Sequence, residues 1–185
     1  MSRRIRIGIV IALLLVAGGV AWMIYSNKDN LMDVMVDSSG GGHYSLQLPP
    51  DMVPAYFNDN ASFQYQSEDG SRAFIIIDDS KEKIASYGLD YDLDTYMKIA
   101  SRALDSAGMY VNTSTEINGI KALQATIQGS RQGVPTTFIL TTLETSRYYY
   151  QLICWSPTEQ FEANEPVLEN MLGTFHEENP QPLKP

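Results

Sequence analysis

Three aspartates at alternate positions, Asp90, Asp92 and Asp94 in LDYDLDT, come nearest in type and spacing to a known chemistry. Carboxylates in the order D-x-D-x-D open a calcium loop, where hard oxygen ligands surround the ion. Such a loop next needs a glycine at its sixth position and a glutamate at its twelfth. Those positions hold Thr95 and Ser101, so the pattern stops after its third ligand. Helix capping is the simpler use of these acids, because a carboxylate before a helix accepts from its first free N–H groups. Asp78-Asp79 is a second acidic pair, expected in a solvated turn at a strand end. The two sets would form one cation site only if the fold brought them together.

The other reactive type is the single cysteine, Cys154, within RYYYQLICWSP (residues 147–157). A nucleophilic thiolate needs a nearby base or positive charge to lower its pKa. No histidine is close in sequence, since His43 and His176 stand at the expected margins of the domain. A lone thiol in an aromatic and β-branched run is expected instead to be a small buried apolar group on a central strand. Tyr148, Tyr150, Leu152 and Cys154 would share one face, and Tyr149, Gln151, Ile153 and Trp155 the other. The aromatic cluster is expected to pack in the core rather than line a pocket.

One cysteine also excludes an internal disulfide and any cysteine-based zinc or iron–sulfur site. No pair among the many acids stands out for glycoside hydrolysis. Gly40-Gly41-Gly42 lacks the lysine and following helix of a phosphate loop. No catalytic constellation and no cofactor site is therefore expected. Asp90, Asp92 and Asp94 stand as the weak metal candidates.

The elements that must hold these residues are legible from periodicity. Residues 44–48 alternate and stop at Pro49-Pro50, a short first strand. Residues 61–66 and 72–78 form a hairpin around Glu68-Asp69-Gly70. Residues 94–107 switch to helical spacing, with Met97, Ala100, Ala103, Leu104 and Ala107 on one face; Asp92 or Asp94 caps the start and Gly108 the end. Four strands follow at 110–117, 120–128, 134–143 and 147–155. Asn118-Gly119 makes the first of their turns, and the short polar runs GSRQG and ETS the others. A last helix carries Leu168, Met171, Leu172 and Phe175, with Asn164 as its cap and Pro166 in its first turn. The later strands are apolar on both faces, so the sheet needs cover on both sides.

Arg3, Arg4 and Arg6 precede a charge-free run of 19 residues, 7–25. At about 1.5 Å rise per residue this just crosses a hydrocarbon core of roughly 30 Å. The basic cluster places the N-terminus in the cytoplasm and the rest outside. Cleavage after Ala21 is the competing expectation, but Trp22 and Tyr25 suit the outer interface of a retained signal-anchor. Residues 26–42, ending in SSGGG, are expected to be a flexible linker, residues 43–177 the domain, and residues 178–185 an unfolded tail.

Of the 13 basic residues three lie in the first 25, and of the 22 acidic ones none does. The exported part thus carries a net charge of −12, which repels nucleic acid and anionic headgroups.

A short early strand ending in Leu48-Pro49, an Asn-Gly hairpin in residues 116–122, Tyr149-Tyr150-Gln151-Leu152-Ile153-Cys154, and Phe161 with Leu168 and Phe175 resemble the PsbP-like superfamily. The resemblance covers residues 44–175. It implies an α+β fold, an αβα sandwich around a central antiparallel sheet, here preceded by a transmembrane helix. Members include the extrinsic photosystem II protein PsbP and many bacterial envelope proteins and lipoproteins, with no common enzymatic chemistry. No functional residue of PsbP has a match to carry over. The expected function is a membrane-tethered, extracytoplasmic, non-catalytic domain docking on an envelope protein partner. A small-ligand or divalent-cation sensor is the alternative, and a carboxylate-dependent hydrolase the least favoured.

Overall fold

The computed structural model describes residues 31–38, 41–104 and 111–178. The expected membrane segment, the cap at Gly108 and the tail beyond residue 178 lie outside these, whereas the helix expected over 94–107 already ends at Arg102, with Ala103 and Leu104 in a turn. Among the described residues no helix is long and apolar enough to cross a membrane.

Seven antiparallel strands form the main sheet in the order β3-β4-β5-β9-β8-β7-β6. They are β3 Met52–Pro54, β4 Phe63–Ser67, β5 Ala73–Ser80, β6 Thr113–Ile117, β7 Ile120–Arg131, β8 Val134–Glu144 and β9 Tyr148–Pro157. A second sheet of three strands orders β1 Met32–Asp37, β2 His43–Leu48 and β10 His176–Glu177 as β1-β2-β10. Helix α1 spans Lys81–Ser86, α2 Leu93–Arg102 and α3 Phe161–Gly173.

Each face of the main sheet buries its own core. On one, Phe74, Ile76, Ile139, Leu143, Tyr150, Leu152 and Cys154 pack with Leu168, Met171 and Leu172 of α3 and with Tyr44, Leu46 and Leu48 of β2. On the other, Ile75, Ala125, Ile127, Leu140, Tyr149, Ile153 and Trp155 meet Leu93, Tyr96, Met97 and Ala100 of α2. Helices thus cover both faces of a central antiparallel sheet, as the two-sided strands require. β9 splits its side chains between the cores as the alternation predicts. It pairs with β5 through Ala73↔Trp155 to Ser80↔Tyr148, and with β8 on its other edge.

Several boundaries differ from expectation, each because of a long-range contact. Residues 32–37 are not linker but β1, which pairs with β2 along its whole length. Val34 and Val36 pack against the core while Met35 is exposed, an alternation that only the partner strand gives meaning. Gly41 and Gly42 after it belong to a turn closed by backbone bonds to Ser38 instead of a spacer. Gly41 has φ +91° and its carbonyl accepts from Tyr148 Oη at 2.7 Å, while Ser38 Oγ donates to both oxygens of Asp78 at 2.6 and 2.7 Å.

At the other end of the domain, β10 pairs with β2, and Tyr150 Oη donates to Glu177 Oε1 at 3.0 Å. Just before it, Phe175 meets Tyr44 and Tyr150 at ring separations of 5.4 and 5.0 Å. Such pairs stabilise by about 0.5–1.5 kcal/mol each beyond their area. Helix α3 begins earlier than expected. Phe161 is its first residue, so Pro166 sits inside it, and Asn164 does not cap but donates to Ser156 Oγ at 2.9 Å. β7 and β8 run on to a two-residue turn, Gln132 (φ +51°) and Gly133 (φ +81°), so Gly129, Ser130 and Arg131 are strand.

Candidate functional site

β4 pairs with β5 only as far as Phe63↔Ile76, whereas β5 continues to Ser80 against β9. Residues 77–80 therefore have one neighbour strand instead of two. Two hydrogen bonds set the phase of this edge. Ser62 N–H donates to Ile76 O on the β4 side, and Lys81 N–H donates to Arg147 O on the β9 side, both at 2.9 Å. Backbone groups alternate sides along a strand, so Asp78 and Ser80 direct theirs outward, past the end of β4.

The gap beside this edge is a cleft of about 560 Å³. Its floor includes Ile77, Asp78, Asp79 and Gln151; Asn58, Asp59 and Asn60 form one wall, and Ile99 of α2 with Ala103 just past its end the other. The Asn58 wall is fixed by Gln64, whose Oε1 accepts from the N–H groups of Phe57 and Asn58 at 2.6 and 2.8 Å. Its Nε2 donates to Asn58 O at 2.8 Å.

A polar chain runs through the otherwise apolar α2 face into this cleft. Tyr96 Oη donates to Asp79 Oδ2 at 2.6 Å and accepts from Gln151 Nε2 at 3.1 Å. Burial first, and Asp79 second, raise the Tyr96 phenol so far that it remains a neutral donor at any ordinary pH. Because the phenol proton goes to Asp79, Gln151 must present its amide nitrogen, which leaves its Oε1 with no hydrogen-bond partner among the described residues. Gln151 is only 9% exposed, and it reaches the cleft. Three carboxylates, Asp59, Asp78 and Asp79, and one ammonium, Lys83, line the space. The groups on offer are mostly acceptors, which suits a ligand rich in N–H or carrying positive charge.

The aspartates expected from sequence stand elsewhere. Asp92 caps α2, with Oδ1 accepting from Thr95 N–H at 2.7 Å. Its pKa is lowered by the Thr95 hydroxyl and that same N–H. Asp90 and Asp94 are exposed on either side. Among the described residues no group of three or more His, Cys, Asp or Glu is arranged to hold a metal ion. Asp78-Asp79 is not the solvated turn expected but half-buried strand, its carboxylates bound by Ser38 and Tyr96.

Cys154 is fully buried, and burial first, with Glu169 second, pushes its thiol well up. Tyr149 stacks on Tyr96 at 4.7 Å, and Trp155 lies under the guanidinium of Arg131 at 4.2 Å. The aromatic cluster is packing. The features that make the cleft went unread in the sequence. Gln151 was the available signal, a single amide in the middle of an apolar strand.

No family model and no curated protein matches the chain. Solved structures do. Cyanobacterial PsbP (CyanoP) of Synechocystis sp. PCC 6803 superposes with a TM-score of 0.55 at 8% identity, over 80% of this chain and 93% of that one. LpqN, involved in cell envelope biogenesis of Mycobacterium tuberculosis, gives 0.51 at 14% identity, over 81% and 93%. A protein of Bacteroides thetaiotaomicron VPI-5482 gives 0.50 at 14%, over 78% of this chain and 48% of that one, so the chain spans about half its length. Identities this low establish a shared fold: α+β with a central antiparallel sheet, PsbP-like.

Proposed function

We propose that this is a non-catalytic binding domain of the cell envelope, held at a membrane by residues 7–25, and that the cleft beside β5 engages a protein partner. The observation that carries the reading is the cleft itself, with an open sheet edge and the unpartnered oxygen of Gln151 in its floor. The shared fold of LpqN supports an envelope setting. Asp78 and Asp79 are neighbours on one strand and leave it on opposite sides, which does not oppose two carboxylates across a substrate.

A small ligand is the second reading, favoured by a volume that falls within the usual few hundred to 1,000 Å³. A photo-cross-linking residue placed at Ile99, on the cleft wall, and at Val134, an exposed strand position outside its lining, tests the choice in the full chain in its native membranes. Protein adducts of defined mass at Ile99 and none at Val134 are expected. Adducts at Val134 alone would move the contact elsewhere, and none at either position would favour the small ligand.

A further inference from the structure

The cleft has the shape and chemistry of a missing strand. Residues 77–80 extend about 13 Å at roughly 3.3 Å per residue. Along them Asp78 presents an N–H and a C=O, and Ser80 an N–H, toward the space where β4 has ended. The Ser80 carbonyl is turned to other work, since Ser80 caps α1. An unpaired edge of this kind is a template for an added extended segment. Beside it Asp79 keeps Oδ1 free of the Tyr96 bond, Gln151 offers Oε1, and Asp59 stands at the rim. Lys83 is the one cation among the described residues of the lining.

We infer that the open edge of β5 receives an extended peptide segment, paired through Asp78 and Ser80, whose lysine or arginine side chain enters the cleft toward Asp79, Gln151 and Asp59. The occupant is thus a basic strand of a protein partner, not a bare metal ion and not an acidic peptide. This identification rests on the reading that the cleft engages a protein. Backbone pairing supplies affinity and the acidic cleft supplies the choice of side chain. The net charge of −12 beyond residue 25 draws the same class of partner from a distance, within the Debye length of about 10 Å at 0.1 M salt.

The test is fluorescence anisotropy on the full chain in detergent with labelled octapeptides of alternating valine and threonine, centred on lysine, arginine or glutamate. Lysine and arginine peptides should bind at least tenfold tighter than the glutamate peptide. Asp79→Asn should weaken them about tenfold, as expected for loss of one charged hydrogen bond. Asp59→Asn, at an exposed rim position, gives the same direction without touching the buried chain. N-methylation of alternate peptide amides should abolish binding in one register and spare it in the other, which a purely electrostatic contact would not do. Equal binding of all three peptides, indifference to N-methylation, or no binding at millimolar peptide would overturn the inference. If adducts at Ile99 persist in any of these cases, the cleft still engages a protein and only the basic-strand identity falls.

Discussion

Replacing Tyr96 by phenylalanine removes one oxygen from the centre of the polar chain and leaves its packing in place. The ring is 2% exposed and stacks on Tyr149 at 4.7 Å, which phenylalanine can keep. Two hydrogen bonds go, one to Asp79 at 2.6 Å and one from Gln151 at 3.1 Å. Asp79 borders the cleft and can recruit water, so its share lies at the low end of the 1.5–3 kcal/mol typical of bonds to charged groups. Gln151 Nε2 has no such recourse, and an orphaned buried donor costs about 1–3 kcal/mol. Together they give a loss of about 2.5–4.5 kcal/mol, or roughly 8–15 °C in Tm for a domain of this size. Urea unfolding should show this as a lower midpoint with an unchanged slope, since the area exposed on unfolding is the same. Adding Gln151→Leu to Tyr96→Phe removes the orphan, so the double variant should be more stable than the sum of the singles by about 1 kcal/mol or more. A Tyr96→Phe cost under about 0.5 kcal/mol, or strict additivity with Gln151→Leu, would refute the chain as described.

Three further outcomes follow from the packing. Pro166 lies inside α3 with no N–H to give the preceding turn, so Pro166→Ala should stabilise by about 1–2 kcal/mol after allowing for the freer unfolded chain, read from urea midpoints; an unchanged or lower midpoint would mean that the proline ring packs usefully. Asp69 accepts from the Ser67 hydroxyl and from the N–H and hydroxyl of Ser71, which lowers its pKa from 3.8 to about 2. A depressed carboxylate stabilises the fold above its unfolded pKa and loses that contribution as pH falls through the folded one. Asp69→Asn should accordingly flatten the decline of stability between about pH 4 and pH 2, and a parallel decline would count against these bonds. Cys154, fully buried with its thiol pushed up, should resist an aromatic disulfide reagent in the native protein at pH 8 and react once per chain in guanidinium. Rapid native labelling would contradict its burial.

What the sequence made legible was whatever local pattern controls. Alternation in residues 148–155 assigns each side chain of β9 to its core, and Asn118-Gly119 forces its turn, because both sit at positive φ. Asp92 caps its helix for reasons contained in four residues. The misread places depend on partners far along the chain. Met32–Asp37 alternates weakly, and only β2 and the core beneath it make Val34 and Val36 inward. This turn reads as spacer because nothing local shows that Asp78 holds Ser38 and Tyr148 holds Gly41 from more than 35 positions away. The same holds for the cleft. It exists because β4 stops short while β5 goes on, a mismatch of strand lengths that neither strand encodes alone.

The most direct measurement is a ¹H–¹⁵N titration of the full chain in detergent with the lysine-centred octapeptide. The account predicts that the amides of Asp78 and Ser80 shift most, with those of residues 58–62, 99–103 and 151 following, and that Asp78 N–H becomes protected from exchange as it gains a strand partner. Shifts that gather on β1 or at Val134, with Asp78 unmoved, would contradict the claim that the open edge of β5 is the binding site.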